Sequence, residues 1–240
     1  MDIKTIQLTQ PYSYLDIYHS NSTTLLPGLV IIPGGSYHKI AERDSERVAI
    51  TFASQAFQTF VVRYPVVDHR SYQDAKVAII QAFDYLLGHA ADLDLDPQQL
   101  GIIGFSAGGQ LAAAYSNRPD THARFAALGY PVITTTIDDR MGVTTENVAQ
   151  LVNDHTPETF LWGSINDQLT PYLDHLAVYA QALAEHQVKF ELHELATGGH
   201  GMALANYYTG VVNRQRTDAH LAKWFPLFME WFHRWQDARG

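Results

Sequence analysis

The chain has 240 residues, 46% of them hydrophobic and 17% charged, with a formal net charge of -9 at pH 7 and no cysteine. That length suits one large domain over residues 1–240, and the acidic balance argues against nucleic acid or anionic membrane as partners, because both need a basic face. The missing cysteine excludes disulfides, thiolate metal ligands and a sulfur nucleophile, and with neither a secretory leader nor a membrane-length apolar run in view, a cytoplasmic location is expected.

Two short strand-like pieces, TIQLT and SYLDIYH, open the chain, and LPGLVIIPGG follows as an apolar run ending in two glycines. A run that is apolar on both faces fits a central strand of a parallel sheet. DSERVAITFASQAF then shows helical spacing, with Asp44 or Ser45 as its N-cap. Next come the strand TFVVRYPVV, the helix SYQDAKVAIIQAFDYLLGHA, the strand LGIIGF and the helix GGQLAAAYSN.

The alternation continues through the strands RFAALGYPVI and ETFLWGS, the helix PYLDHLAVYAQALAEHQ, the strand KFELHEL and the helix TDAHLAKWFPLFMEWFHRW. Strands alternating with helices predict βαβ units and a mostly parallel central sheet with helices on both faces, an α/β architecture in three layers. Ligands in such sheets bind beyond the carboxyl ends of the strands, which singles out the loops PGGSYH, GFSAGG and GSINDQLTP. Residues 134–157 are polar and weakly periodic, so they form either a small cap over that edge or a plain crossover helix.

Gly104-Phe105-Ser106-Ala107-Gly108 matches G-x-S-x-G between a strand and a helix. Such a corner holds a serine in a strained conformation, and it needs small residues two before and two after to let strand and helix pack closely. The amide of Ala107 then lies at a helix N-terminus, where positive potential can stabilise an oxyanion. A phosphate-binding turn is the rival, but neither the P-loop spacing nor a full G-x-G-x-x-G is present.

A serine nucleophile needs a base, and the base needs a third group to fix its tautomer. Where a serine sits on this kind of elbow the chain order is Ser, acid, His. His122, His155, His175, His186, His193, His220 and His233 mostly fall on predicted helices or strands and read as surface or half-buried side chains. His200 instead follows the last predicted strand in ATGGHGMAL, where flanking glycines let an imidazole approach the nucleophile.

Asp167, in LWGSINDQLTP, follows a strand and lies on the same edge, although an Asx-turn ahead of Pro171 is the plainer use of that residue. Asp138, Asp139 and Asp154 follow no clear strand. The amides of Gly35 and Ser36, after the first long strand, complete a candidate oxyanion hole with Ala107, while His38 and Lys39 read as solvated.

Asp92, Asp94 and Asp96 have the opening spacing of a calcium loop, but Pro97 and Ile103 occupy its glycine and glutamate positions, so a solvated turn is expected. Trp224, Phe225, Phe228, Trp231, Phe232 and Trp235 have the spacing of a helix docked on the sheet, with aromatics to spare for a homodimer contact.

Taken in order, PGGSY, ERDSERVA, GFSAGGQLAA, GYPVI, TPETFLWGSINDQLTP and GGHG resemble the α/β-hydrolase superfamily, and within it the small bacterial carboxylesterases related to acetyl and acetyl-xylan esterases. Many relatives carry His-Gly-Gly-Gly where this chain has Pro33-Gly34-Gly35-Ser36, and a histidine where it has Gln110. The resemblance implies a serine esterase for short-acyl esters, with acetylated carbohydrates as the family guess, catalysis by Ser106, Asp167 and His200, and no metal or organic cofactor. An arylformamidase-like amidase, a small peptidase on the same three residues, or a non-catalytic binding protein of the same fold are the alternatives.

Overall fold

A computed structural model describes residues 1–209 and 217–239. The apolar run after Leu25 becomes β3 (Leu26–Ile32), whose last five residues are buried. It sits mid-sheet, paired in parallel with β4 (Gln58–Arg63) on one side and β5 (Leu95–Phe105) on the other. Beyond β5 the parallel ladder continues through β6 (Ala126–Gly129), β7 (Thr159–Ser164) and β8 (Phe190–Leu195). β1 (Asp2–Gln7) and β2 (Tyr14–His19) extend the other edge antiparallel, giving the order β1-β2-β4-β3-β5-β6-β7-β8.

Side-chain alternation divides the core into two layers. Val30, Ile32, Phe60, Val62 and Ile102 face α2 (Tyr72–Gly88), α3 (Ala107–Ser116) and α5 (Leu176–Glu185). Their neighbours Leu29, Ile31, Val61, Ile103 and Phe105 face the other way, toward α1 (Glu46–Ala53) and a C-terminal aromatic helix at Trp224–Asp237. Helices thus cover both faces, as the continuous apolar strands require. Among the described residues no helix is long and apolar enough to cross a membrane.

The C-terminal helix begins seven residues later than its sequence spacing suggests, at Trp224 after a 3-10 turn at Leu221–Lys223. Its indoles and phenyl rings are spent inside the molecule: Trp224 stacks on Trp162 with centroids 4.1 Å apart, and Phe228, Trp231, Phe232 and Trp235 are buried. Removing any one of these rings is expected to cost about 3–5 kcal/mol through lost burial and the cavity left behind.

Residues 134–157 form neither a long crossover helix nor a detached cap. They contain the four-residue helix α4 (Asp138–Met141) and a 3-10 turn at Val148–Leu151. They are tied down by polar contacts: Tyr72 and Lys76 donate to Glu146 at 2.9 and 2.6 Å, and Asn117 Nδ2 donates to the Val148 carbonyl at 2.9 Å. The C-terminal helix, sixth in chain order, is α6. In the aspartate-rich turn before β5, the Asp94 carboxylate bonds His19 Nε2 and the Ser22 amide.

Candidate active site

The corner between β5 and α3 is as tight as its sequence demands. A Cβ on Gly104 would run into the Gly108 carbonyl, and one on Gly108 into the carbonyls of Ile32 and Pro33. Ser106 has φ 56° and ψ -122°, a conformation that costs a non-glycine residue on the order of 1–3 kcal/mol. The surroundings enforce it. Its amide donates to Gly129 at 3.0 Å, and its carbonyl accepts from Gly109, Gln110 and Val132 at 2.9, 3.2 and 3.0 Å.

Three loops at the carboxyl edge meet at this serine. Ser106 Oγ lies 2.6 Å from His200 Nε2, and His200 Nδ1 lies 2.8 Å from Asp167 Oδ2. With the Ser106 hydroxyl donating to Nε2, Nδ1 carries the proton that Asp167 accepts. Asp167 fills both of the uses its sequence allows: Oδ1 accepts from the Leu169 and Thr170 amides in an Asx-turn, and Oδ2 faces the imidazole and the Thr170 hydroxyl. Burial opposes its charge, yet the His200 hydrogen bond and the two amides win, so its pKa is held below the usual carboxylate range. Of the rival acids, Asp138 is engaged elsewhere, accepting from the Thr145 amide and hydroxyl.

The loop after β3 crosses directly over Ser106. A Cβ on Gly34 would stand 3.1 Å from Ser106 Cβ and 2.9 Å from the Phe105 carbonyl, so only glycine lets the two backbones approach this closely. The Gly34 amide is taken by Asp44 Oδ2 at 3.2 Å. The amides of Gly35, Ser36 and Ala107 make no hydrogen bond to another described backbone group. They are therefore available as donors, which is the property an oxyanion hole requires.

Helical spacing assigns Asp44 or Ser45 to an N-cap, and the structure corrects this. Ser45 holds the cap position, but its hydroxyl donates back to Ala41 at 3.0 Å and caps nothing. Asp44 is sealed from solvent and turned toward the site. Burial pushes its pKa up, partly offset by Arg43, the Gly34 amide and His200. Tyr130 links this carboxylate to the histidine loop, since its hydroxyl lies 3.4 Å from Asp44 Oδ1 and accepts from the Ala203 amide at 2.9 Å. Its ring also meets the His200 ring edge-on at 5.1 Å.

His175 is the second correction, for it is fully buried rather than half-exposed. Its Nδ1 faces the Ile133 and Thr134 amides at 3.1 and 3.3 Å, which secures the loop after β6. Burial lowers its pKa to about 4 against the pull of Asp174 and Asp167, keeping the ring neutral. Exposed His38 is not idle either, because its Nε2 bonds the Arg140 carbonyl at 3.0 Å. Gln110 donates to the Thr145 hydroxyl at 2.9 Å, joining the elbow helix to the 134–157 segment.

A cleft of about 700 Å³ opens over His200 and is lined by both loop and α4 residues. Among the described residues no group of His, Cys, Asp and Glu is arranged to hold a metal ion.

The family model BD-FAE matches residues 15–160. Over 208 residues the chain is 26% identical to endo-1,4-beta-xylanase B of Butyrivibrio fibrisolvens, a match covering 74% of this chain and 33% of the relative. Over 203 residues it is 23% identical to an acetylxylan esterase of Xylanibacter ruminicola, covering 75% and 42%. The matched region is thus less than half the length of either curated relative. Among solved structures, MGS-M1, an α/β hydrolase enzyme from a Medee basin deep-sea metagenome library, superposes with a TM-score of 0.90 at 26% identity, over 98% of this chain and 97% of that one.

Proposed function

The chain belongs to the BD-FAE family of α/β hydrolases, and from that premise we propose that it is a serine carboxylic-ester hydrolase for short-acyl esters, acetylated carbohydrates among them. The observation that carries this reading is the continuous chain from Ser106 Oγ through His200 to Asp167, at 2.6 and 2.8 Å, on a strained elbow at the sheet's carboxyl edge. The acetylxylan esterase likeness supports the ester chemistry and the acetyl group.

In this mechanism His200 Nε2 takes the Ser106 proton as Oγ attacks the ester carbonyl. The carbonyl oxygen gains charge as the carbon becomes tetrahedral, and the amides of Ala107, Gly35 and Ser36 donate to it. Asp167 holds Nδ1–H toward itself and stabilises the imidazolium. His200 then gives its proton to the leaving alcohol as the C–O bond breaks, leaving an acyl group on Ser106. Water, deprotonated by the same imidazole, hydrolyses that acyl-enzyme and restores the serine.

Labelling by a fluorophosphonate is the direct test. Ser106 should carry the phosphonyl group, and Ser106→Ala should lose both labelling and the hydrolysis of a short nitrophenyl ester. An unlabelled wild-type protein that hydrolyses no ester overturns the proposal.

A further inference from the structure

The net charge of the chain is strongly negative, but the cleft beside His200 is lined by two arginines, Arg43 and Arg140. Arg43 is packed against the histidine loop, where a Cβ on Gly201 would come within 2.5 Å of its Nη2. Its Nε lies 3.5 Å from the buried Asp44 carboxylate without a hydrogen bond, and its terminal N–H groups bond no described residue. Arg140 sits on α4, whose end is pinned by two contacts: His38 Nε2 bonds the Arg140 carbonyl, and Arg70 Nε donates to the Gly142 carbonyl at 3.1 Å. No carboxylate of the described residues lies within ion-pair distance of the Arg140 side chain.

Among the described residues one acid shares the cleft lining, Asp218. It is occupied, because its Oδ1 accepts from the His220 and Leu221 amides at 2.9 Å each. The described lining thus holds two arginines, with the Asp218 carboxylate engaged by amides and the Asp44 carboxylate sealed behind Arg43, and the terminal guanidinium N–H groups bond no described residue, next to the group that would act on the ester. A guanidinium's planar pair of donors fits a carboxylate, and a concave wall strengthens the pairing relative to open solvent.

We propose that the cleft takes esters that carry a second, ionised carboxylate, with Arg43 and Arg140 holding that group while the ester lies at Ser106. This rests on the esterase reading of Ser106, His200 and Asp167, and it narrows the substrate class of that site.

Two matched pairs separate the sides on which the carboxylate can lie: 4-acetoxybenzoate against its methyl ester for the alcohol side, and monoethyl adipate against diethyl adipate for the acyl side. The measured quantity is the ratio of kcat/KM for the charged over the neutral member. In the wild type the ratio for one pair should exceed that of the R43Q/R140Q variant by about fivefold or more, chiefly through KM, and should shrink with added salt. R140Q alone, at an exposed position, should lower it by about twofold, which covers a failure of the double variant to fold. Calorimetric titration of the S106A protein with 4-acetoxybenzoate and monoethyl adipate, with and without R140Q, reads the carboxylate site without turnover. Ratios and affinities unchanged by the arginine substitutions overturn the proposal. If none of the four esters is hydrolysed, the esterase reading fails, while the titration still decides whether the arginines bind carboxylate.

Discussion

The Asp44 carboxyl group accepts from the Gly34 amide at 3.2 Å, so a buried acceptor directly behind the loop fixes how that loop passes over Ser106. The same carboxylate faces the Tyr130 hydroxyl, which in turn receives the Ala203 amide, and this connects the candidate oxyanion loop to the histidine loop. Asp44 hydrogen-bonds the Gly34 amide and the Tyr130 hydroxyl rather than Ser106 and is sealed from solvent, so it is a positioning residue. Replacing it by alanine leaves the Gly34 amide and the Tyr130 hydroxyl without their acceptor in a dry site. We expect Asp44→Ala to lower kcat about 10²-fold, the scale of losing one oxyanion donor, with KM within about threefold. Asp44→Asn, which keeps one acceptor oxygen, should recover much of that loss. A rise in KM at unchanged kcat would show that the carboxylate shapes substrate binding instead.

Asp167→Asn isolates the orienting role at the other end of the site. An amide at this position can donate to His200 Nδ1 and so stabilise the tautomer that cannot accept from Ser106. A fall in kcat of about 10²–10⁴ with little change in fold is expected, measured by steady-state kinetics alongside a circular dichroism spectrum. Retention of wild-type kcat would remove Asp167 from the mechanism. The depressed pKa of this carboxylate also predicts that its contribution to stability is complete above the ordinary aspartate value and is lost as pH falls through the lower folded value.

Gly108→Ala tests the corner itself. The new Cβ would strike the carbonyls of Ile32 and Pro33 at the end of β3, and neither can move without disturbing the Gly34 loop. A loss of about 1–3 kcal/mol is expected from overpacking, read as a drop in urea midpoint, with activity falling further than stability because the strand end carries the loop over Ser106. Gly88→Ala is the control, since nothing stands within 4 Å of a Cβ there.

These sites differ in how openly the sequence announces them. The G-x-S-x-G corner, the glycines of the first loop and a histidine between glycines are local patterns, each readable because a backbone constraint forces a particular small residue. Alternating strands and helices likewise give the parallel sheet and its two covered faces. Asp44, Tyr130 and His175 leave no such trace, because their partners lie 10, 73 and 42 positions away and are set by the strand order. An aspartate ahead of a helical run has the spacing of an N-cap, and only the crossing of two loops turns it inward. A histidine in a helical window reads as solvated until α5 is seen packed under the loop after β6.

His175 gives the clearest pH prediction, because burial keeps its ring neutral and holds its pKa at about 4. In the unfolded chain the same group titrates near about 6.5. Between these values the unfolded state binds a proton that the folded state refuses, so folding stability must decline as pH drops from about 6.5 toward 4. The gap corresponds to a contribution of up to about 3 kcal/mol. His175→Asn keeps an acceptor for the Ile133 and Thr134 amides and removes the titration. Urea unfolding at a series of pH values should therefore show a flatter acid limb in the variant than in the wild type, with the gap between the two curves changing from about pH 6.5 to about pH 4 and constant on either side of that window. Parallel slopes across that window would mean that His175 is protonated in the folded protein. The loop after β6 would then be held by a charged ring, and the Ile133 and Thr134 amides would need another acceptor.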